Sequence, residues 1–193
     1  MATEIERKFS ASPETLSLIQ KSFPGAWQTI SMQTSYFDTP DGSLSARKWT
    51  LRLRLEEEEK VCTLKTPGKD GARGEWECRE SCIEEAIPVL CKLGAPQELT
   101  ALTSKGLVMV CGAKFTRRAL TVDIPGGKAE LALDEGILTG GGREIPLCEV
   151  ESELKAGSPE ALDAFARSLA DEFSLTEEPK SKFRRALELA KGE

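Results

Sequence analysis

Several segments of the sequence alternate, residue by residue, between apolar and charged side chains. Residues 51–55 read Leu-Arg-Leu-Arg-Leu, and residues 149–155 read Glu-Val-Glu-Ser-Glu-Leu-Lys. Because side chains two positions apart lie on the same face of a β-strand, such strands have one apolar face and one charged face. Glutamate is unfavourable in sheets, and neighbouring like charges repel each other. The charged face therefore needs partners of opposite charge or a ligand.

The remaining pattern predicts antiparallel strands and several helices. Strands are expected over 4–8, 27–38, 49–57, 60–66, 73–82, 107–124, 128–135 and 144–154. Helices are expected over 13–23, 84–105 with an interruption near 94–96, 158–173 and 179–191. A sandwich would bury apolar side chains on the alternate face, whereas a closed barrel accommodates a polar interior. We therefore expect an α+β fold with a closed antiparallel β-barrel, in one domain that covers residues 1–193 and has C-terminal helices over about 158–191.

The composition excludes several classes of function. The chain has 193 residues and a formal net charge of −6, which argues against general binding to nucleic acids or membrane surfaces. It contains no histidine, which excludes histidine-dependent catalytic triads and the usual histidine-containing zinc sites. The six cysteines form no CxxC pair, and no apolar run is long enough to span a bilayer. Because acidic residues stand where a signal peptide would need a basic start, we expect a cytoplasmic protein.

Two acidic segments, 4–8 and 149–155, are candidates for a metal site. If they face each other inside a barrel, a hard divalent cation would offset their mutual repulsion. Without histidine, the ligands would be carboxylates and water, which favours Mg²⁺ or Mn²⁺. Each segment taken alone also fits a solvated surface or a protected edge strand. The carboxylates in question are those of Glu4, Glu6, Glu149, Glu151 and Glu153.

Basic residues occupy the charged face of the strands between these segments. Alternation groups Arg118 with Lys114 and Thr116, whereas Arg117 shares a face with Phe115, so we favour Arg118 as the inward-facing residue. A polyanion held by these cations, with divalent ions on its other side, would satisfy both sets of charges, and triphosphate fits that description. Taken alone, the arginines of residues 51–55 also fit a half-exposed strand. The basic set is Lys8, Arg52, Arg54, Lys65 and one or both of Arg117 and Arg118.

Six short motifs occur together in a fixed order. They are EIERKF at 4–9, YFDT at 36–39, LRLR at 51–54, TLK at 63–65, RGEWE at 73–77 and EVESE at 149–153. Together they resemble the CYTH superfamily, the triphosphate tunnel metalloenzymes, over most of the chain. That family includes inorganic triphosphatases, thiamine triphosphatases, class IV adenylyl cyclases and RNA triphosphatases. The resemblance implies an eight-stranded antiparallel tunnel with helices packed outside it.

The resemblance also implies roles for individual residues. The metal ligands would be Glu4, Glu6, Glu151 and Glu153, with Asp134 and Glu149 close by. The phosphate oxygens would be held by Lys8, Arg52, Arg54, Lys65 and one of Arg117 and Arg118. Glu75 and Glu77 match acidic tunnel positions, and Lys182 would close one tunnel mouth from the last helix. The catalytic set is then Glu4, Glu6, Lys8, Glu77, Glu151 and Glu153.

The activity implied first is divalent-metal-dependent hydrolysis of inorganic tripolyphosphate to pyrophosphate and phosphate, with two Mg²⁺ or Mn²⁺ ions. The expected partner is a small-molecule triphosphate, without nucleic acid or membrane, for a monomer or a homodimer. Three alternatives stay open. One is a thiamine triphosphatase in which Trp49 or Trp76 forms an aromatic shelf, and another is a class IV adenylyl cyclase. The third is a non-catalytic module that binds polyphosphate or nucleotides.

Overall fold

The computed structural model describes residues 5–67 and 73–193. Its strands are β1 (Glu6–Ser10), β2 (Gln28–Asp38), β3 (Thr50–Glu56), β4 (Glu59–Pro67), β5 (Arg73–Cys78), β6 (Val108–Ile124), β7 (Gly127–Gly140), β8 (Arg143–Gly157) and β9 (Thr176–Glu177). Its helices are α1 (Pro13–Ser22), α2 (Ser43–Ala46), α3 (Ile83–Lys92), α4 (Glu98–Thr103), α5 (Pro159–Phe173) and α6 (Lys182–Lys191). Among these described helices, none has the length and apolar character needed to cross a membrane. Glu4, predicted as a metal ligand, lies outside the described residues.

The strands form one antiparallel sheet in the order β5-β4-β3-β2-β6-β7-β8-β1-β9. Hairpins join β3 to β4, β6 to β7 and β7 to β8. Short connections of this kind are expected between antiparallel neighbours. Two pairings bring together distant parts of the chain: β2 lies beside β6, and β1 lies beside β8. The first strand and the last long strand are therefore neighbours.

The mixed architecture of helices and antiparallel strands is confirmed, but the sheet differs from the predicted one. It has nine strands in the described ranges instead of eight, because Thr176 and Glu177 add a short strand beside β1. Over the same ranges no ladder joins the two edge strands, β5 and β9, so a closed barrel is not shown. β7 extends past its predicted end at 135, because it pairs with β8 up to a turn at Gly141 and Gly142, where φ is positive.

Cross-strand pairing places the charged residues of the sequence motifs on one face of the sheet. Glu6 lies opposite Glu153, and Lys8 lies opposite Glu151. Directly opposed residues of antiparallel strands point to the same side, so each pairing extends this face to the next strand. We call it the charged face. It carries Glu6, Lys8, Arg52, Arg54, Lys65, Glu75, Arg117, Asp134, Glu149, Glu151 and Glu153.

The opposite, apolar face of the sheet is covered by helices. Leu51 and Leu64 of the sheet are buried in one cluster with Leu90 of α3 and Leu99 of α4. At the other end of the sheet, a second cluster contains Leu131 and Leu133 of β7 together with residues of α1 and α5. These helices are amphipathic, and burial of their apolar stripes fixes them on the sheet. Helices packed outside the sheet are thus observed at both of its ends.

Helix α6 does not follow this arrangement, because it packs on the charged face. Phe183 is buried in a cluster with Met32, Phe115 and Leu138, all of which point to that face. The Phe183 ring centroid lies 5.1 Å from that of Tyr36. The charged face therefore has an apolar patch under α6, and this patch brings the first residue of the helix next to the buried carboxylates.

Helix α1 offers a matched test of the packing on the apolar face. Leu16 is 0% exposed, whereas Leu18 on the same helix is 56% exposed. We expect Leu16→Ala to lower the free energy of unfolding by about 2–5 kcal/mol, because it removes buried apolar contacts and leaves a cavity. Leu18→Ala should change it by about 0.5 kcal/mol or less. Urea unfolding of both variants measures this; equal effects would contradict the position of α1.

Candidate active site

A cavity of about 1010 Å³ lies against the charged face. Strands from both halves of the sheet contribute to its wall, with Glu6 and Lys8 from β1 and Arg52 and Arg54 from β3. Helix α6 and the segment around α2 complete the lining. Because residues near the two edges of the sheet line one cavity, the sheet curves around it. The predicted site residues in this lining are Glu6, Lys8, Arg52, Arg54, Lys65, Arg117, Glu151 and Lys182.

Three carboxylates meet at the base of this site, on the neighbouring strands β7 and β8. One oxygen each of Asp134, Glu149 and Glu151 lies within 4.8 Å of the others. We call these three residues the acidic cluster. Asp134 and Glu149 are fully buried, and Asp134 lies directly opposite Glu149 in the sheet. Burying several carboxylates together is unfavourable unless cations compensate them.

The side chain of Lys182 supplies one of these cations. Its Nζ lies 2.8 Å from Asp134 Oδ2, and it donates hydrogen bonds of 2.5 Å to Glu149 Oε2 and 2.6 Å to Glu151 Oε1. The ammonium also lies 5.4 Å from the centroid of the Phe115 ring, within the range of a cation–π contact. Lys182 therefore bridges all three carboxylates from the first position of α6.

Two arginines complete the charge balance. Arg117 donates from Nε and Nη2 to the two oxygens of Asp134, each at 2.7 Å, and it also bonds Glu151. Arg185 of α6 bonds Glu149. Bidentate pairing of this kind is the strongest geometry for an arginine and a carboxylate. The acidic cluster thus contacts one cation for each of its carboxylates.

The pKa values reflect this mutual compensation. Burial lowers the pKa of Lys182, but the charges of Asp134, Glu151 and Glu149 outweigh burial and raise that pKa above its usual value. Burial raises the pKa of Glu151, but Lys182 and Arg117 outweigh it, so that this pKa lies well below its ordinary range. For Glu149 the effect of burial prevails, and its pKa is raised. Ionised Glu151 and protonated Lys182 thus stabilise each other in the folded chain.

The predicted inward register of β6 is wrong. Arg117 points into the cavity, whereas Arg118 lies on the other side of the sheet, where it bonds Gln20 of α1 and Glu135. The prediction assumed that the face shared with Phe115 was the outer, apolar one. Phe115 instead lies on the charged face, because α6 covers it there.

Arg52, Arg54 and Lys65, which we call the basic wall, are also paired within the chain. Lys65 Nζ lies 3.2 Å from one carboxylate oxygen of Glu75, and Arg52 lies 3.9 Å from the other. Arg54 donates to the hydroxyl of Thr34 and to Glu56, each at 3.2 Å. These three cations converge on the cavity from β3 and β4, as predicted. Glu75 therefore acts as a counter-ion within the wall.

Three further predicted residues lie around this centre. Lys8 donates to the backbone oxygen of Lys180 at 2.5 Å, and burial lowers its pKa. Glu153 pairs with Lys155 at 2.9 Å and is absent from the cavity lining. Glu77 is exposed and lies opposite Thr63, also outside that lining. The structure thus brings Lys8 to the cavity and leaves Glu77 and Glu153 outside its lining.

Sequence reasoning missed two residues of the site. Arg185 follows Lys182 by three positions, so both project from one side of α6, and this spacing was the available signal. Asp38 is buried beside the cavity, where it accepts hydrogen bonds from the backbone N–H groups of Thr39, Leu44 and Ser45. It thereby fixes the segment that forms one rim. The motif YFDT at 36–39 contributes to the family resemblance, but it assigns Asp38 no role in the site.

The tryptophans do not form the predicted aromatic shelf. Trp49 is buried on the apolar face of the sheet in the cluster with α3, and Trp76 packs against that cluster. Neither belongs to the cavity lining. This position counts against the hypothesis that Trp49 or Trp76 holds the organic part of a substrate.

These features agree with the similarity of the chain to known proteins. The family model of the CYTH domain matches residues 2–187, and the chain belongs to the CYTH family. An inorganic triphosphatase from Haemophilus influenzae is 32% identical over 175 residues, which cover 88% of this chain and 50% of the relative. The chain therefore spans about half the length of that curated relative.

Solved structures share the same fold. A candidate adenylate cyclase from Bacillus halodurans superposes with a TM-score of 0.63 at 21% identity, over 94% of this chain and 96% of that one. A candidate adenylyl cyclase from Hippeastrum, with a dominant triphosphatase activity, has a TM-score of 0.63 and 21% identity, over 95% and 93% of the two chains. At this level of identity the likeness concerns the fold alone.

The pairing of Glu151 predicts a pH-dependent contribution to stability. We expect Glu151→Gln to lower the free energy of unfolding near pH 7 by about 1.5–3 kcal/mol, the range for hydrogen bonds to charged groups. Because the folded pKa is depressed, this contribution is present above the unfolded carboxyl pKa, roughly 4.3, and is lost as the pH falls toward the folded pKa. The difference between wild type and variant should therefore shrink below about pH 4.

Urea unfolding in EDTA, from near neutral pH to acid pH, measures this difference. Glu144→Gln is the matched control, since Glu144 is an exposed carboxylate on the same strand. It should change the free energy of unfolding little at any pH. A difference for Glu151→Gln that stayed constant or grew toward acid pH would contradict the assignment.

Proposed function

We propose that this chain hydrolyses inorganic tripolyphosphate to pyrophosphate and phosphate with the help of divalent cations. The observation that carries the proposal is that one cavity is lined both by the cations Arg52, Arg54 and Lys65 and by the carboxylates Glu6 and Glu151. A small polyanion suits such a cavity, because cations can hold its oxygens while carboxylates bind its metal counter-ions. The Haemophilus influenzae relative, an inorganic triphosphatase, supports this choice of substrate. In this proposal the sheet closes into a tunnel around the substrate, within one cytoplasmic domain.

The carboxylates of the charged face fit a hard divalent cation, Mg²⁺ or Mn²⁺, because all their donor atoms are oxygens. Glu6, Glu151 and Glu153, with Asp134 and Glu149 beside them, are the described residues that would hold one or two such ions. When bound, a divalent cation would supply charge neutralisation of the phosphate oxygens and lower the pKa of a bound water. Glu4 is proposed in the same role from its place in the sequence motif.

The basic wall would bind and orient the triphosphate. Arg52 and Arg54 lie two residues apart on β3, and Lys65 lies on the adjacent strand, so their cationic groups face one side of the cavity. In the absence of substrate, Glu75 is the counter-ion of this wall. Phosphate oxygens would replace it when the triphosphate binds. Hydrogen-bond donors that are already in position before the reaction stabilise the charge of the transferred group without the cost of reorganising solvent. Lys8 would contribute from β1 after release of the Lys180 carbonyl.

Hydrolysis requires that a water attack the terminal phosphorus and lose a proton. A carboxylate of the charged face, Glu6 or Glu153, is proposed to accept that proton. The bond between the terminal phosphorus and its bridging oxygen breaks, and pyrophosphate leaves with that oxygen. No covalent bond to the protein is needed, so positioning and charge neutralisation account for the rate enhancement.

Organic triphosphates are a second candidate class of substrate. The cavity rim contains Val108, Val110 and Leu187, which could contact a nucleoside or another organic group. Val108 is 43% exposed, so this part of the rim is open. Two solved structures of the same fold are described as candidate adenylyl cyclases, which would act on an organic triphosphate. A module that binds polyphosphate without turnover is a separate alternative.

The function is tested by phosphate release from tripolyphosphate, ATP and thiamine triphosphate in parallel, with Mg²⁺, Mn²⁺ or EDTA. We expect release from tripolyphosphate to be fastest and to stop in EDTA. Faster release from an organic triphosphate would favour the second candidate class. Conversion of ATP into cyclic AMP and pyrophosphate would indicate a cyclase, and binding of tripolyphosphate without turnover would indicate a sensor.

The proposed roles of Glu6 and Glu153 predict a specific loss of activity. We expect Glu6→Gln and Glu153→Gln each to lower turnover of tripolyphosphate by roughly 100-fold or more, since each removes a metal ligand or the proton acceptor. Both side chains are partly exposed, so the fold should persist, which circular dichroism checks. Glu144→Gln, whose side chain is exposed and outside the cavity lining, should retain activity. Full activity in both Glu6→Gln and Glu153→Gln would refute the roles assigned here.

A further inference from the structure

The acidic cluster already contains a cation that belongs to the chain. Lys182 Nζ contacts all three of its carboxylates at 2.5–2.8 Å, and only 7% of Lys182 is exposed. Together with Arg117 and Arg185, this ammonium gives the cluster one positive charge for each negative charge. The same three carboxylates form the one oxygen-donor group of metal-site geometry in the described part of the chain.

We propose that Lys182 and a divalent cation compete for the acidic cluster, so that the lysine occupies it in the resting protein and leaves when the metal enters. The inference rests on the proposed function only in requiring that a divalent cation bind these carboxylates. Lys182 would be a positioning residue that sets the metal affinity of the site. This role differs from the closing of a tunnel mouth, which the family resemblance implies for Lys182.

Charge and space make the two occupants mutually exclusive. The ammonium lies within hydrogen-bond distance of Glu149 and Glu151, so it takes the position that a metal ion would need in order to contact the same oxygens. A divalent ion placed beside it would meet Coulomb repulsion in a buried environment, where such interactions are weakly screened. Binding of the metal therefore requires movement of the Lys182 side chain.

The structure allows this movement without unfolding α6. The helix is held by Phe183, which packs against Tyr36, and by Ala186, which is fully buried. Ser181 accepts a hydrogen bond from Arg184 N and so caps the helix independently of Lys182. The Lys182 side chain also lines the open cavity, so a displaced ammonium would remain next to the position proposed for phosphate oxygens. A lysine side chain has enough rotatable bonds to reach both positions.

The first test compares metal binding in two neutral variants of the full chain, without substrate. Lys182→Met removes the competing ammonium and keeps most of the side-chain volume. Lys180→Met makes the same change of charge two residues earlier, where the side chain is half exposed and pairs with Glu188 outside the cluster. Binding of Mn²⁺ is measured from the paramagnetic resonance signal of the free ion, and circular dichroism confirms folding.

We expect Lys182→Met to bind Mn²⁺ at least about 10-fold more tightly than the wild type, a change of about 1.4 kcal/mol. Lys180→Met should bind as the wild type does. Unchanged or weaker binding by Lys182→Met would overturn the proposal, and so would an equal increase in both variants, since that would reflect net charge alone.

A second measurement uses the wild-type protein and remains decisive if Lys182→Met does not fold. Lysine acetylation by acetic anhydride is followed for each peptide by mass spectrometry, with and without Mn²⁺. The buried, fully paired Lys182 should react slowly without metal and faster at saturating Mn²⁺, while Lys21 on the surface of α1 should react equally in both. Lys182 that stayed protected at saturating Mn²⁺ would overturn the competition.

These results separate the inference from the proposed function. Metal-dependent hydrolysis by the wild type, combined with unchanged Mn²⁺ affinity in Lys182→Met, would refute the competition and leave the hydrolase proposal intact. Tighter Mn²⁺ binding in Lys182→Met, combined with no hydrolysis of tripolyphosphate, would support the competition and refute the proposed reaction.

Discussion

The compensation of buried carboxylates by buried cations is the interaction on which the rest of this structure depends. Asp134 and Glu149 are fully buried, and without partners they would make the charged face unstable. Their partners come from different elements, with Arg117 on β6 and Lys182 and Arg185 on α6. Both the apolar packing under α6 and the compensation of the buried carboxylates therefore require α6 to lie on the charged face. A purely apolar helix there would leave the carboxylates uncompensated.

Under the proposed function, a site of this kind is stable without substrate and binds it by exchanging counter-ions. The basic wall and the acidic cluster each have counter-ions within the chain. Glu75, for example, is the counter-ion of Arg52 and Lys65. Exchanging a counter-ion within the chain for a phosphate oxygen or a metal ion costs less than desolvating an isolated charge would. The network thus keeps charged side chains in place at low energetic cost. Preorganised charge of this sort is what phosphoryl transfer demands of a protein.

The sequence predicted the strands that carry charge and the face on which most charges lie, because alternation in a strand is a direct consequence of backbone geometry. It failed where tertiary packing decided the outcome. The alternation predicts Phe115 on the apolar face, yet α6 covers it on the charged face, and Arg117 rather than Arg118 points inward as a result. The two-residue strand β9 has too short a sequence to show any period. The partners of the acidic cluster depend on the docking of α6, which no local pattern specifies.

The pairing of β1 with β8 sets the order in which the site can assemble. Glu6 lies opposite Glu153, and Lys8 lies opposite Glu151, so these residues meet only after a very long loop has closed. Contacts between such distant parts of a chain form slowly, because the entropy of loop closure must be overcome before they add stability. During synthesis, the hairpins of the middle strands can form while the partner of β1 is still absent. The carboxylates of β1 and β8 therefore remain apart until β8 itself has been made.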